Sequence, residues 1–215
     1  MAYQTIWHFS DIPDKIIDII EEDAQKFDDR LAQSYLSGGI VREVKRKSKN
    51  TWIPTYHWLG GWIWHYITRA NRENYMYDIS NIDGEAIQYT RYEEGEYYGW
   101  HTDQSIPAFY HLKNGGNNGS TLDNDNDRIT DAKEDHLMQN VELVRKLSFI
   151  VQLSDPNDYE GGNVQIMDDA GKSYICPRQK GAIIIFDSRS QHRVLKVTKG
   201  VRKSLVGWVV GPRWR

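Results

Sequence analysis

The sequence predicts a mainly β protein with supporting helices, in which a helical N-terminal part precedes an antiparallel core of the sandwich or barrel class. Two observations predict this class. Helical patterns dominate up to about residue 74, and from residue 75 onwards short β-branched or aromatic segments alternate with turn residues. The length, 215 residues, is that of one domain. We therefore expect a single domain over 1–215, with helical support in 1–74 and the β core in 75–215.

The N-terminal part predicts one strand and two helices. Residues 4–9 (QTIWHF) alternate between apolar and polar and predict a strand. Ser10 then offers an N-cap and Pro13 falls in the first turn, while four isoleucines between 16 and 20 predict an amphipathic helix. Residues 58–74 predict a second helix, although a pair of glycines at its start is unfavourable there.

The β core is predicted from seven short segments separated by turn residues. These segments are 75–80, 85–92, 147–154, 163–167, 182–186, 193–198 and 202–210. One insertion interrupts them: residues 104–140 are polar, rich in Gly, Asn and Asp, and nearly aperiodic. A loop of this length inside a domain is usually functional or disordered. Because it starts directly after Asp103, it is a candidate lid or substrate-gripping loop, and a solvated insertion without a role is the alternative.

Within this insertion, an acidic pattern resembles a calcium-binding loop. The five acidic residues that match loop positions 1, 3, 5, 9 and 12 are Asp123, Asp125, Asp127, Asp131 and Glu134. Arg128 stands where such a loop needs glycine, and no helix precedes the pattern. A solvated acidic loop is therefore the favoured interpretation, with Ca²⁺ binding as the alternative.

Composition limits the partners and the compartment. The formal net charge of −3 gives no general attraction to nucleic acid or to an acidic membrane surface. Cys176 is the single cysteine, so the chain cannot form an internal disulfide. The N-terminus lacks the pattern of a signal peptide, and the aliphatic run at 182–186 is too short to span a bilayer. We expect a cytoplasmic protein with no nucleic-acid or membrane partner.

A metal site is suggested by two residues that stand two positions apart. On an extended strand, His101 and Asp103 would face the same side, and they could be two metal ligands or a buried hydrogen-bonded pair. His192, which follows a buried strand in the C-terminal half, is the best candidate for a third ligand. Two histidines and one carboxylate on one face of a metal are typical of non-haem Fe(II) oxygenases.

A second group of residues follows ten positions after His192. Arg202, Ser204 and Trp208 share one face of a predicted strand. Arg202 could bind a carboxylate through two hydrogen bonds, Ser204 could add another, and Trp208 could form an apolar wall. A cation at some distance from a metal suits a dicarboxylate cosubstrate, whereas a surface arginine is the plainer interpretation of Arg202 alone.

Three stretches resemble the Fe(II)/2-oxoglutarate-dependent oxygenases of the prolyl 4-hydroxylase type, and their motifs are most similar to those of the bacterial and viral subgroup. They are 88–103 (QYTRYEEGEYYGWHTD), 145–166 (RKLSFIVQLSDPNDYEGGNVQI) and 177–208 (PRQKGAIIIFDSRSQHRVLKVTKGVRKSLVGW). The resemblance covers about residues 72–210. It implies a distorted double-stranded β-helix, a jelly roll of the cupin-like kind, with helices supporting the larger sheet.

The resemblance also implies roles for individual residues. His101, Asp103 and His192 would bind iron, and Arg202 would hold the distal carboxylate of 2-oxoglutarate. Further candidates for the cosubstrate pocket are Tyr92, Ser204 and Gln152; for the substrate pocket they are Tyr98 and Trp208. No catalytic residue beyond the metal site is implied.

The activity implied is hydroxylation of a C–H bond with Fe(II) as cofactor and 2-oxoglutarate as cosubstrate, releasing succinate and CO2, and ascorbate is admitted as an accessory reductant. The resemblance favours a prolyl residue in a peptide or protein as substrate, and a small-molecule hydroxylase is the main alternative. A nucleic-acid demethylase is disfavoured, because Trp208 stands where those relatives carry a second arginine. A non-catalytic binding module is disfavoured by the complete metal and arginine set.

Overall fold

The computed structural model describes residues 4–27, 32–33, 46–104 and 143–214, with the side chains of 32, 33 and 85 left out of the description. The loop insertion predicted at 104–140 therefore lies outside the described residues except for Gln104. The calcium hypothesis for Asp123, Asp125, Asp127, Asp131 and Glu134 also lies outside them.

The described residues form a larger sheet, a smaller sheet and a two-stranded ribbon, and the strand pairs in all three are antiparallel. In the larger sheet the strand order is β1-β12-β8-β15-β6-β4-β2, with β5 on β15, and in the smaller sheet it is β11-β10-β13-β7-β3. The strands are β1 (Ile6–Phe9), β2 (Ala32–Gln33), β3 (Arg46–Lys47), β4 (Lys49–Pro54), β5 (Asn81–Ile82), β6 (Ala86–Tyr92), β7 (Tyr97–His101), β8 (Leu143–Gln152), β9 (Tyr159–Gly161), β10 (Val164–Met167), β11 (Ser173–Ile175), β12 (Ile183–Asp187), β13 (His192–Val194), β14 (Val197–Gly200) and β15 (Arg202–Pro212). Two sheets of this kind form a jelly roll, so the predicted mainly β fold is confirmed.

The larger sheet separates two hydrophobic cores, because alternate residues along each strand face opposite sides. On β8, Leu147, Phe149 and Val151 pack in the core that contains the helices. Ile150 faces the smaller sheet and packs in the second core. Ser148 and Gln152 share the face of Ile150, so this inner face carries polar side chains between the sheets.

Two helices cover the outer face of the larger sheet: α1 (Asp14–Gln25) and α2 (Trp58–Ala70), the latter continued by one π-helical turn (Asn71–Tyr75). Both helices were predicted, but the start of α1 differs from the prediction. Pro13, rather than Ser10, occupies the N-cap position, and no side chain caps the helix. Of the four isoleucines, Ile17 and Ile20 are fully buried, whereas Ile16 and Ile19 are exposed.

One predicted strand is wrong, and three strands of the larger sheet, β2, β4 and β5, were not predicted. Residues 76–80 follow the π-helical turn without regular structure, and Met76 adopts a left-handed conformation there with φ of 55°. Conversely, β4 pairs with β6 over six residues, so the N-terminal part contributes strands as well as helices to the core. The other six predicted β segments coincide with β6, β8, β10, β12, β13 with β14, and β15.

Neither helix of the described residues is long and apolar enough to cross a membrane.

Candidate functional site

The pairing of β7 with β13 brings two predicted metal ligands together. His101, the last residue of β7, stands directly opposite His192, the first residue of β13. Asp103 follows in a turn, where its backbone N–H donates a hydrogen bond of 3.0 Å to the carbonyl of Ser188. This bond ties the turn after β7 to the end of β12 and fixes the carboxylate beside the two rings.

The three side chains converge on one point. Nε2 of His192 lies 3.3 Å from Oδ2 of Asp103, and Nε2 of His101 lies 3.7 Å from Oδ1. One ligand atom from each of the three residues falls within 4.8 Å of the other two. Two imidazole nitrogens and one carboxylate oxygen at this spacing could hold one metal ion and leave coordination positions open.

Hydrogen bonds fix the orientation of both imidazole rings. The Nδ1 atoms of His101 and His192 lie 2.8 Å from the carbonyl of Gly99 and 3.1 Å from that of Ser190, respectively. A ring that donates from Nδ1 to a carbonyl keeps its Nε2 lone pair for a metal. The rings are therefore set for metal binding before a metal arrives.

The protonation states of the ligands agree with this arrangement. Burial, reinforced by the neighbouring His192, lowers the pKa of His101 to about 3, so its ring is neutral at pH 7. Burial alone would raise the pKa of Asp103, but the two histidines, Ser148 and Arg145 together hold that pKa below its ordinary value. A neutral imidazole and an ionised carboxylate are the forms that bind metal.

A β-bulge in β7 determines which aromatic residues face the metal ligands. Between the pairs His101–His192 and Tyr98–Val194, β7 contains one residue more than β13. Tyr98 and His101 therefore face the same side, and their rings stack at 3.5 Å between centroids. Trp100 faces away, under the guanidinium of Arg193.

The predicted cosubstrate residues form a second group on the inner face of the larger sheet. Arg202 is almost completely buried, and Nη2 donates a hydrogen bond of 2.9 Å to Oε1 of Gln152. Tyr92 stands opposite Arg202 on β6, with its ring centroid 5.6 Å from Cζ. Ser204 stands two positions further along β15, opposite Thr90 of β6 on one side and Gln152 of β8 on the other.

The buried cation of this group has no carboxylate partner among the described residues. Burial lowers the pKa of Arg202, while Tyr159 and Tyr92 counteract that effect, and a guanidinium remains charged in either case. Nε of Arg202 and Oγ of Ser204 are buried without a hydrogen-bond partner in the described part of the chain. Unsatisfied buried polar atoms are costly, so this pocket fits an anionic ligand such as the distal carboxylate of 2-oxoglutarate.

Gly162 gives the arginine its space. Its φ is 61°, and a Cβ on it would lie 3.2 Å from Cδ of Arg202 and 3.0 Å from a methyl group of Val197. A side chain here would crowd the guanidinium stem, so the glycine pair at 161–162 helps to shape the pocket.

The sequence suggested that Trp208 forms an apolar wall of the cosubstrate pocket, but Trp208 lies away from that pocket. It stands opposite Ser148, six residues along β15 from Arg202, at the end of the sheet where the metal ligands lie. Cζ of Arg145 lies 4.0 Å from its ring centroid, and Trp52 packs against it at 6.2 Å. This position suits the predicted substrate pocket.

Four residues that contact either a metal ligand or an aromatic residue of the predicted substrate pocket were not predicted from the sequence. Ser148 donates a hydrogen bond to Asp103, Nη1 of Arg145 donates one of 3.4 Å to the Asp103 carbonyl, and Arg46 lies over the Tyr98 ring. Trp52 completes this set beside Trp208. One feature of the sequence could have indicated Ser148: on a strand it shares a face with Gln152, which was a candidate for the cosubstrate pocket.

A jelly roll that brings two histidines and one carboxylate together within its core defines a non-haem metal oxygenase architecture. A family model described as the 2OG-Fe(II) oxygenase superfamily matches residues 87–210, more than half of the chain. The chain belongs to the 2OG-Fe(II) oxygenase superfamily, and the resemblance seen in the sequence is confirmed.

Individual relatives agree with this membership. A PKHD-type hydroxylase of Idiomarina loihiensis is 32% identical over 123 residues, which are 57% of this chain and 41% of that protein. The chain spans less than half the length of the curated PKHD-type hydroxylases that it matches.

Solved structures show the same fold. A prolyl-4-hydroxylase of Pseudomonas putida aligns with a TM-score of 0.64 at 17% identity, over 97% of this chain and 93% of its own. A prolyl hydroxylase of Trichoplax adhaerens, in complex with a peptide of a hypoxia-inducible factor, aligns with a TM-score of 0.66 at 13% identity, over 95% and 83% of the two chains.

Proposed function

We propose that the chain is one oxygenase domain that hydroxylates a prolyl residue in a peptide or protein, and that it consumes 2-oxoglutarate and dioxygen. The observation that carries this proposal is the pair of groups on one inner surface. One group could hold a metal ion, and the other offers a buried cation without a carboxylate partner in the described residues. The names of the PKHD-type relatives and of the prolyl hydroxylase structures support proline as the substrate.

His101, Asp103 and His192 would hold Fe(II), and Arg202 with Ser204 would hold the distal carboxylate of 2-oxoglutarate. Bound Fe(II) supplies the oxidising chemistry: one atom of dioxygen enters succinate as 2-oxoglutarate loses CO2, and the other enters the substrate as a hydroxyl group. The residues of this chain bind and orient the reactants. Apolar side chains around the pocket, among them Ile150 and Phe186, exclude water.

Arg202 has a defined part in this scheme. An arginine with a fixed fork of donors binds a carboxylate with two hydrogen bonds, and the low polarity of the surroundings strengthens them. Gln152 holds one side of the guanidinium through Nη2 and is itself held, because its Nε2 donates a hydrogen bond of 3.2 Å to the carbonyl of Pro177. The guanidinium is thereby oriented before the cosubstrate binds.

The test has a binding arm and a turnover arm. Binding of Fe(II) and 2-oxoglutarate is measured under anaerobic conditions for the natural chain and for His101→Ala and Asp103→Ala. His65→Ala serves as a matched control, since His65 is an exposed histidine on α2. We expect the first two variants to lose metal binding and the control to retain it. Retained metal binding in both site variants would contradict the assignment of the ligands.

The turnover arm identifies the substrate class. Proline-containing peptides and free amino acids are compared for succinate formation and for the gain of one oxygen atom by mass spectrometry. Hydroxylated peptide is the expected result. Hydroxylation of free amino acids alone would reject the prolyl proposal in favour of a small-molecule hydroxylase, for which the pocket offers the same cosubstrate site.

A further inference from the structure

Beside the metal ligands lies a group of half-buried side chains that the oxygenase chemistry does not use, and we call it the arginine–aromatic cluster. Its members are Arg46, Trp52, Tyr98, Arg145 and Trp208. Tyr98 stacks on His101, and Arg145 donates a hydrogen bond to the carbonyl of Asp103. The cluster therefore adjoins the two ligands that β7 and its following turn supply.

Arg46 is held in the cluster by strand pairing. It stands directly opposite Tyr98 in the β3–β7 pair, and its Cζ lies 4.8 Å from the centroid of that ring. Nε donates to Oγ of Ser48 and Nη2 donates to Oε1 of Gln88, both at 3.0 Å. These bonds fix the guanidinium at its position over the ring.

The two arginines of the cluster differ in charge balance. Arg145 is paired with Asp83, at 2.5 Å between Nε and Oδ2, so a carboxylate already neutralises it. Arg46 has no carboxylate within ion-pair distance among the described residues, and its bonds go to neutral oxygens. A half-buried cation of this kind attracts an anion, so Arg46 is the positive charge of the cluster that a ligand could neutralise.

Trp208 adds an unused donor. Its indole Nε1 is buried and has no hydrogen-bond partner in the described part of the chain. A buried indole N–H usually finds a partner, so a bound molecule that brings an acceptor would satisfy it. The rings of Trp52, Tyr98 and Trp208 provide apolar surface on which a saturated ring could pack.

Building on the proposed function, we infer that the arginine–aromatic cluster selects substrates with a carboxylate close to the carbon that is hydroxylated. Arg46 binds this carboxylate, Trp208 donates to an acceptor of the same molecule, and the aromatic rings hold its apolar part. Such a carboxylate has two sources: an acidic residue next to proline in a peptide, and the α-carboxylate of a free amino acid. Arg46 is then a specificity residue for the reaction.

The decisive experiment measures binding, so it does not depend on turnover. The protein is loaded with Fe(II) and 2-oxoglutarate under anaerobic conditions, and its affinity is measured for matched probes. One pair is a short peptide with glutamate or glutamine next to proline, and the other pair is proline and prolinamide. We expect the carboxylate probe of at least one pair to bind ~10- to 100-fold more tightly than its amide. The pair that shows the preference identifies the source of the carboxylate.

Variants test whether Arg46 is responsible. Arg46→Gln should abolish the preference for the acid, and Arg46→Glu should reverse it in favour of a peptide with lysine next to proline. Arg72→Gln is the control, because Arg72 is exposed on the π-helical turn. A melting temperature close to that of the natural chain would show that the variants fold. Equal affinity for acid and amide, or a preference that survives Arg46→Gln, would overturn the inference.

Failure of the proposed function has a different signature. If the loaded protein binds the probes but no peptide or amino acid gains oxygen, the assignment to prolyl hydroxylation fails while the acid preference of the cluster is still measured by binding. If 2-oxoglutarate does not bind, the cosubstrate assignment fails, and the same matched probes are titrated against the protein with Fe(II) alone.

Discussion

The hydroxyl group of Ser148 donates a hydrogen bond of 2.6 Å to Oδ2 of Asp103 and thereby links the middle of β8 to the predicted metal carboxylate. Partners of this kind orient a metal ligand, and their loss typically costs 10- to 100-fold in metal affinity. We predict that Ser148→Ala weakens Fe(II) binding by about 10- to 100-fold. Anaerobic competition with a metal-sensitive dye would measure this change in Fe(II) affinity.

Ser173→Ala, at an exposed serine of β11, is the matched control for Ser148→Ala and should leave the affinity unchanged. Unchanged metal affinity in Ser148→Ala would mean that Asp103 needs no support from β8.

For the cosubstrate, we predict that Arg202→Ala raises the dissociation constant of 2-oxoglutarate by a factor of ~30 or more. The reason is that the variant removes the partner of a desolvated carboxylate, which typically costs about 2–5 kcal/mol. Calorimetric titration would measure the affinity. Lys203→Ala is the control on the adjacent position, since Lys203 pairs with Glu21 instead. Equal effects of the two variants would argue against Arg202 as the carboxylate ligand.

Ser204→Ala separates binding from stability. Because Oγ of Ser204 is buried without a partner in the described residues, its removal should leave the free energy of unfolding unchanged or slightly raised. The same variant should weaken 2-oxoglutarate binding by roughly 10-fold, through loss of a hydrogen bond to a charged group. Chemical denaturation and calorimetry would measure the two effects. A loss of stability without a loss of affinity would show that Ser204 serves the fold only.

The two glycines at the start of α2 should respond oppositely to the same substitution. A Cβ on Gly60 would lie 2.0 Å from the carbonyl oxygen of Thr55, whereas one on Gly61 would meet no atom within 4 Å. Gly60→Ala should therefore destabilise the fold by about 1–3 kcal/mol, and Gly61→Ala should stabilise it by up to ~1 kcal/mol. Urea denaturation would measure both, and equal changes would contradict the packing described for α2.

Cys176 should be unreactive in the folded chain. Burial raises the pKa of its thiol to about 12, so the reactive thiolate is absent at pH 8. In the unfolded chain the pKa returns to about 8.5, and the thiolate forms as the pH rises through that value. Alkylation at pH 8 should thus be slow without denaturant and fast in guanidinium chloride. Fast labelling of the native protein would show that the core around Cys176 opens readily.

Much of the fold and of the metal group could be predicted because local patterns determine them. Alternation and turn residues located six of the seven β segments. The ligand atoms of His101 and Asp103 do lie together, but Asp103 lies in a turn after β7 and not on the extended strand that the two-residue spacing assumed. The segment 75–80 was wrong because its aromatic and β-branched residues mimic a strand, although Tyr75 ends a π-helical turn and its side chain is buried against the core.

The remaining site residues depend on contacts that no local pattern encodes. Arg46 reaches the site because β3 pairs with β7, and Arg145 reaches it because β8 passes beneath the turn at Asp103. Each comes from a different part of the sequence, and neither carries a motif. Which strands become neighbours is decided by the packing of the two sheets, so these contacts needed the structure.

The bulge in β7 has a consequence for how the chain can change. Tyr98 and His101 stand three positions apart, so regular pairing of the same residues would place the two rings on opposite faces of the strand. The irregular backbone, rather than any one side chain between them, therefore decides that both rings lie on the metal side. We expect natural and laboratory variants that keep the three-residue spacing of Tyr98 and His101 to keep the bulge as well, whatever side chains stand at positions 99 and 100.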